Sequence, residues 1–177
     1  MLSLRPLLVC CLLAAGGLSP QLASAEPKEP TEEESADVSF AKSFLGKAYE
    51  DELEVEGWID LGGGLVSPPI YVRHYQREED GTNLVLTSRE VAKATANAPA
   101  SFVVADALIV PKPPKDQAFS LACVQGDDEM LRFLGHAKGG ENKEWWTDVR
   151  RAWEISIETG QIASIKAKGI RCTNPGW

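Results

Sequence analysis

The sequence predicts an α+β fold dominated by strands: a curved antiparallel sheet, part barrel or sandwich, with an N-terminal helix packed on it. Three observations carry this. From Glu54 onward, apolar residues come in short runs of strand length, separated by turns rich in glycine and proline. One stretch only, starting at Val38, places apolar residues at helical spacing. Two cysteines, Cys123 and Cys172, sit at opposite ends of the last four candidate strands.

The first residues lie outside that fold. Arg5 supplies a positive start, Leu7 to Ala15 is a short apolar run, and Ala23-Ser24-Ala25 is a small-x-small cleavage pattern. Residues 1–25 therefore read as a secretory signal peptide cut near Ala25, which implies a periplasmic or secreted protein. Removing it removes Cys10 and Cys11 and leaves Cys123 and Cys172, which read as one disulfide in an exported chain. Residues 26–37 hold six acids, one lysine and two prolines with no large apolar side chain. They read as a disordered acidic tail, because nothing there offsets the entropy of ordering. Residues 38–177 remain as a single globular domain.

The elements follow in order. Asp37 is placed to cap a helix bearing Val38, Ala41, Phe44, Leu45, Ala48 and Tyr49 on one stripe, with Gly46 a weak point. Glu54 to Leu61 is strand-like, and Gly62-Gly63-Gly64 breaks it. Ile70 to Gln76 and Asn83 to Thr87 form a hairpin about Asp80-Gly81. Ser88 to Asn97 reads as a short helix closed by Pro99. Phe102 to Val110 is a nearly continuous apolar strand, ended by Pro111-Lys112-Pro113-Pro114. Four strands then follow: Ala118 to Val124, Met130 to His136, Trp145 to Ser156 and Gln161 to Cys172. Ile162 and Ile165 cannot face the same way unless a bulge intervenes.

A disulfide between the first and last of these strands constrains their arrangement. A flat meander would hold those strands roughly 14 Å apart, at about 4.8 Å per step. A disulfide needs Cα atoms about 5.5 Å apart. The sheet must therefore curl, or another connection must bring the last strand beside the first. Closing a loop of this length is worth on the order of 4 kcal/mol in chain entropy.

Composition and motifs narrow the function classes. The net charge of −8 argues against a nucleic-acid binder, and no apolar run reaches the length of a membrane span. His74 and His136 stand in no metal-spaced pattern, and no metal site is expected. There is no GxSxG elbow, and Gly62-Gly63-Gly64 is not followed by Lys-Ser/Thr, so neither a serine hydrolase of that class nor a phosphate loop is indicated. No cofactor is implied. Along the Trp145 strand, alternation puts Trp145, Arg151 and Trp153 on the core face and leaves Trp146 beside Asp148 and Arg150 on the other. An exposed tryptophan near an arginine has the composition of an interface hot spot, and Trp177 is a second candidate of that kind. Trp146, Arg150 and Trp177 are thus the candidate binding residues. The expected function is that of an exported, noncatalytic module binding an envelope protein, as an inhibitor, immunity factor or accessory subunit. A small-ligand carrier using a curved-sheet cavity and a cell-envelope hydrolase are the alternatives.

Overall fold

The computed structural model describes residues 32–139 and 143–174. The chain begins with helix α1 (Glu32–Lys42), followed by β1 (Ala48–Glu50), β2 (Trp58–Ser67), β3 (Ile70–Arg77), β4 (Asn83–Ala92) and β5 (Ser101–Val110). The five strands form one antiparallel sheet in the order β1-β5-β4-β3-β2. Next come β6 (Gln117–Gln125), β7 (Asp128–Lys138), β8 (Trp145–Trp146), β9 (Val149–Ile155), β10 (Ile162–Ile165) and β11 (Ile170–Thr173). These form a six-stranded sheet in the order β10-β9-β7-β6-β11-β8. The fold is β-dominant α+β, as the strand-length runs predict. No helix among the described residues is long and apolar enough to cross a membrane.

The second sheet is forced to curl. Strands β8 and β9 stand four places apart in it, roughly 19 Å if the sheet were flat. Only Thr147 and Asp148 join them along the chain, a span of at most roughly 10 Å. The last strand returns beside the first: β11 pairs with β6, with Cys172 opposite Cys123. Their sulfurs are 1.99 Å apart, so the pair is joined. The curled interior is filled by the disulfide, Phe133, Ala137, Trp146, Ala152 and Ile170. Gly135 faces the disulfide closely: a Cβ there would lie 3.0 Å from the Cys172 sulfur and 3.2 Å from that of Cys123, tight enough that the neighbours would have to shift.

The outer face of the curled sheet packs on the first sheet. Leu134, Trp153 and Ile155 meet Ile70, Val72, Val85 and Val110. Polar fasteners join the layers at one end. The Thr87 hydroxyl donates to the Gly160 carbonyl at 2.5 Å, and Asp106 accepts the Ile162 amide at 2.7 Å. The opposite face of the first sheet is covered by α1 and by residues 51–56, which bury Ala41, Phe44, Leu53 and Val55 against Tyr75, Leu84, Leu86 and Val104. Strand β4 is therefore enclosed on both faces, and Asn83 to Ser88 are all buried.

Several local expectations are corrected. The helix begins at Glu32, so it takes in part of the segment whose composition reads as a tail; residues 26–31 lie outside the described residues. Asp37 is not a cap. It sits inside the helix and accepts Arg77, whose guanidinium also covers the Trp58 ring. The helix stops at Lys42 because Gly46, at φ +76°, turns the chain so that its amide reaches the Val104 carbonyl at 3.0 Å. Gly62-Gly63-Gly64 lies within β2 as a bulge rather than ending a strand. The helix expected over residues 88–97 is absent, since Ser88 to Ala92 continue β4 against β5. Ladder pairing there outweighs local helix propensity. The long strand from Trp145 is cut at Thr147-Asp148, and the following one divides into β10 and β11. Ile162 packs in the inter-sheet cluster and Ile165 in the curled interior, so their odd spacing needs no bulge.

The curled interior yields a direct test. Trp146→Ala empties the largest side chain from it and lowers the unfolding free energy by about 3–5 kcal/mol. A melting temperature depressed by about 10 °C or more is expected by calorimetry. A shift within about 2 °C would show that Trp146 is not part of the core.

Candidate functional site

The candidate site is built around residues 51–56, which cross the first sheet from the β1 side toward β2. Asp51 starts the crossing at φ +51°, a conformation that aspartate tolerates better than most residues. The sequence Glu52-Leu53-Glu54-Val55-Glu56 then alternates. Leu53 and Val55 are buried, while the three glutamates are exposed. The Tyr75 hydroxyl donates to the Leu53 carbonyl at 2.8 Å and anchors the segment. Burial, with Asp60 nearby, pushes the Tyr75 hydroxyl up to about 12, so it stays a donor across the physiological range.

A cleft lies on each side of this strap. The first, about 550 Å³, has aromatic walls of Tyr49, Tyr71 and Phe102, with Asp51, Glu52 and Asp60 at its rim. The Tyr49 and Phe102 rings stack at 5.3 Å, and Tyr71 meets Phe102 edge-on at 5.2 Å. The second, about 590 Å³, is lined by Glu54, Glu56, Trp58 and Tyr75, and shares Glu52 and Asp60 with the first. Five carboxylates thus border the pair, against the single guanidinium of Arg73. Arg73 donates to Asp60 at 2.6 Å and to the Asp51 carbonyl at 3.2 Å.

Beside the clefts runs β2, the outer strand of its sheet, paired among the described residues with β3 alone. Ile59, Leu61 and Leu65 on it are about half exposed, at 47%, 51% and 47%. Leu65 stands opposite Tyr71 and shares the cleft face, whereas Ile59 stands opposite Gln76 on the other face. The bulge depends on glycine. Gly62 adopts φ +92°, and a Cβ on Gly63 would lie 2.0 Å from the Val72 carbonyl oxygen.

No protein-family model, curated protein or solved structure matches this chain. The site is therefore read from its own geometry.

The residues singled out from sequence do not form one site. Trp146 is buried at 9% exposure, which corrects the expectation that it is exposed. Trp146 shares the curled interior with Ala152, while Trp153 and Ile155 face the first sheet, so the alternation holds and it is the curl of the sheet that covers the second face. Trp145 is half-buried, with the Arg171 guanidinium 4.7 Å from its ring centre. Arg150 is exposed and paired with Asp148 at 2.7 Å. Trp177 lies outside the described residues. Cys123 and Cys172 are joined and fully buried. Neither the acidic strap nor the open β2 edge figures among the sequence-derived candidates. Their signal is present in the alternation of Glu52 to Glu56 and in the aliphatic residues flanking three glycines.

Both histidines lie between the sheets. The Phe119 ring centre is 5.1 Å from that of His74 and 5.6 Å from that of His136. His74 Nε2 meets Asn83 Oδ1 at 2.8 Å, and burial lowers its pKa. His136 is 4% exposed, and its Nε2 has no hydrogen-bond partner. Burial, with Arg151 adding repulsion, lowers its pKa to about 4. His136 is therefore neutral in the folded state down to about pH 4, while in the unfolded chain it takes a proton near pH 6.5. Its effect on stability is nil above about pH 6.5 and grows unfavourable as pH falls from there toward 4. The full loss is on the order of 3 kcal/mol. His136→Leu is expected to flatten the fall in unfolding free energy between pH 7 and pH 4.5, measured by urea titration. An equally steep fall in the variant would contradict this.

Proposed function

We propose that this chain is an exported, noncatalytic module that binds another protein of the cell envelope through the open edge of β2. The observation that carries the reading is that edge: a ten-residue strand, paired on one side only among the described residues, with three half-exposed aliphatic side chains. Unpaired edges present rows of backbone donors and acceptors that another extended chain can take up. The signal-like first 25 residues and the buried disulfide support export to an oxidising compartment. The carrier reading has less support, because side chains fill the interior of the curled sheet. The hydrolase reading has less support, because both histidines pack against Phe119 in the layer between the sheets and neither lines an acidic cleft.

Affinity capture from envelope extract tests the proposal, with the wild-type domain compared with an Ile59→Thr/Leu61→Thr/Leu65→Thr variant. Threonine keeps strand propensity while removing apolar surface. Because the three positions are half exposed, the variant should melt within about 3 °C of wild type. A protein retained by wild type and lost by the variant supports the reading. Retention by both, or by neither, contradicts it.

A further inference from the structure

We infer that the segment bound at the β2 edge is an extended strand carrying a lysine or arginine, whose cationic head enters the cleft of Tyr49, Tyr71 and Phe102. This rests on the reading of β2 as a docking edge and names the chemistry of its partner. A strand added to β2 would lie about 4.8 Å beyond it and place alternate side chains on the cleft face. The wall between that strand and the cleft is missing where it matters, since β2 carries Gly62, Gly63 and Gly64 along the cleft. A lysine or arginine stem, roughly 6 Å long, can lie across these glycines and bring its head over β3. Leu65, on the same face, offers apolar surface to the methylenes.

The destination suits a cation for two independent reasons. Tyr49, Tyr71 and Phe102 line it, and aromatic rings attract ammonium and guanidinium groups. Its rim is acidic, with Asp51, Glu52 and Asp60 against Arg73 and with Glu54 and Glu56 adjoining. An anionic side chain would instead meet Asp51 and Glu52, which outnumber what Arg73, paired with Asp60, can offset. Arg73 already demonstrates the fit of a guanidinium here, between Asp60 and the Asp51 carbonyl.

Terminally blocked pentapeptides Thr-Val-X-Val-Thr, with X as lysine, arginine, glutamine or glutamate, test this by titration into ¹⁵N-labelled protein. Lysine and arginine peptides are expected to shift the amide signals of Gly62 to Gly64 and Tyr71. They should bind about tenfold more tightly than the glutamine peptide, with the glutamate peptide weakest. The Asp51→Asn/Glu52→Gln variant should erase that preference, lowering the affinity of the lysine and arginine peptides to that of the glutamine peptide. Equal binding of the lysine and glutamine peptides at β2 overturns the inference and leaves the docking edge standing. Shifts confined to other surfaces, or no binding by any peptide, overturn both.

Discussion

The two residues between β8 and β9 set the shape of this protein. Thr147 and Asp148 must join strands that the hydrogen-bonding order places at opposite sides of a five-strand span. No flat sheet allows this, so the second sheet rolls up. Rolling brings β11 against β6, and the cysteine pair can then close. It also creates a small interior with little room for a side chain at position 135. The other face of the sheet is left as an apolar surface, and that surface needs a second layer.

The first sheet is that layer, and covering it decides which surfaces remain open. Its inner face meets Leu134, Trp153 and Ile155, and its outer face meets α1 and the strap at residues 51–56. Both faces of β4 are thereby consumed. The side edge of β2 is not. Strap and edge meet at Asp60 and the glycine bulge, so the carboxylates of the two clefts and the exposed aliphatic residues fall side by side. The buried side chains concentrate in β4 and the curled sheet, and the proposed recognition falls on the exposed periphery.

Much of this architecture is legible in the sequence, and the exceptions have physical causes. The run Phe102 to Val110, the hairpin about Asp80-Gly81 and the need for the last strand to approach Cys123 are local or geometric, and the fold follows them. Alternation separates Trp146 from Trp153 correctly, but it cannot show that the sheet curls and buries the Trp146 face as well. The residues from Ser88 onward look helical in isolation, but β5 supplies a ladder that single-sequence propensity cannot see. Asp37 has the chemistry of a cap but finds Arg77, forty residues away, a stronger partner. The clefts were hidden for a similar reason: Tyr49, Tyr71 and Phe102 belong to three strands, and only the sheet order brings them together. The Glu52 to Glu56 alternation, by contrast, was readable as an extended segment with one buried face.

The central claim is that β2 offers a free backbone edge while β4 is sealed within the fold. Residue-resolved native-state amide exchange tests it most directly. The account predicts that Leu84 to Thr87 exchange only through global unfolding, whereas alternate amides of Trp58 to Ser67 exchange at least about 100-fold faster. Uniform protection across β2, matching that of β4, would show that the edge is already covered and would contradict the account.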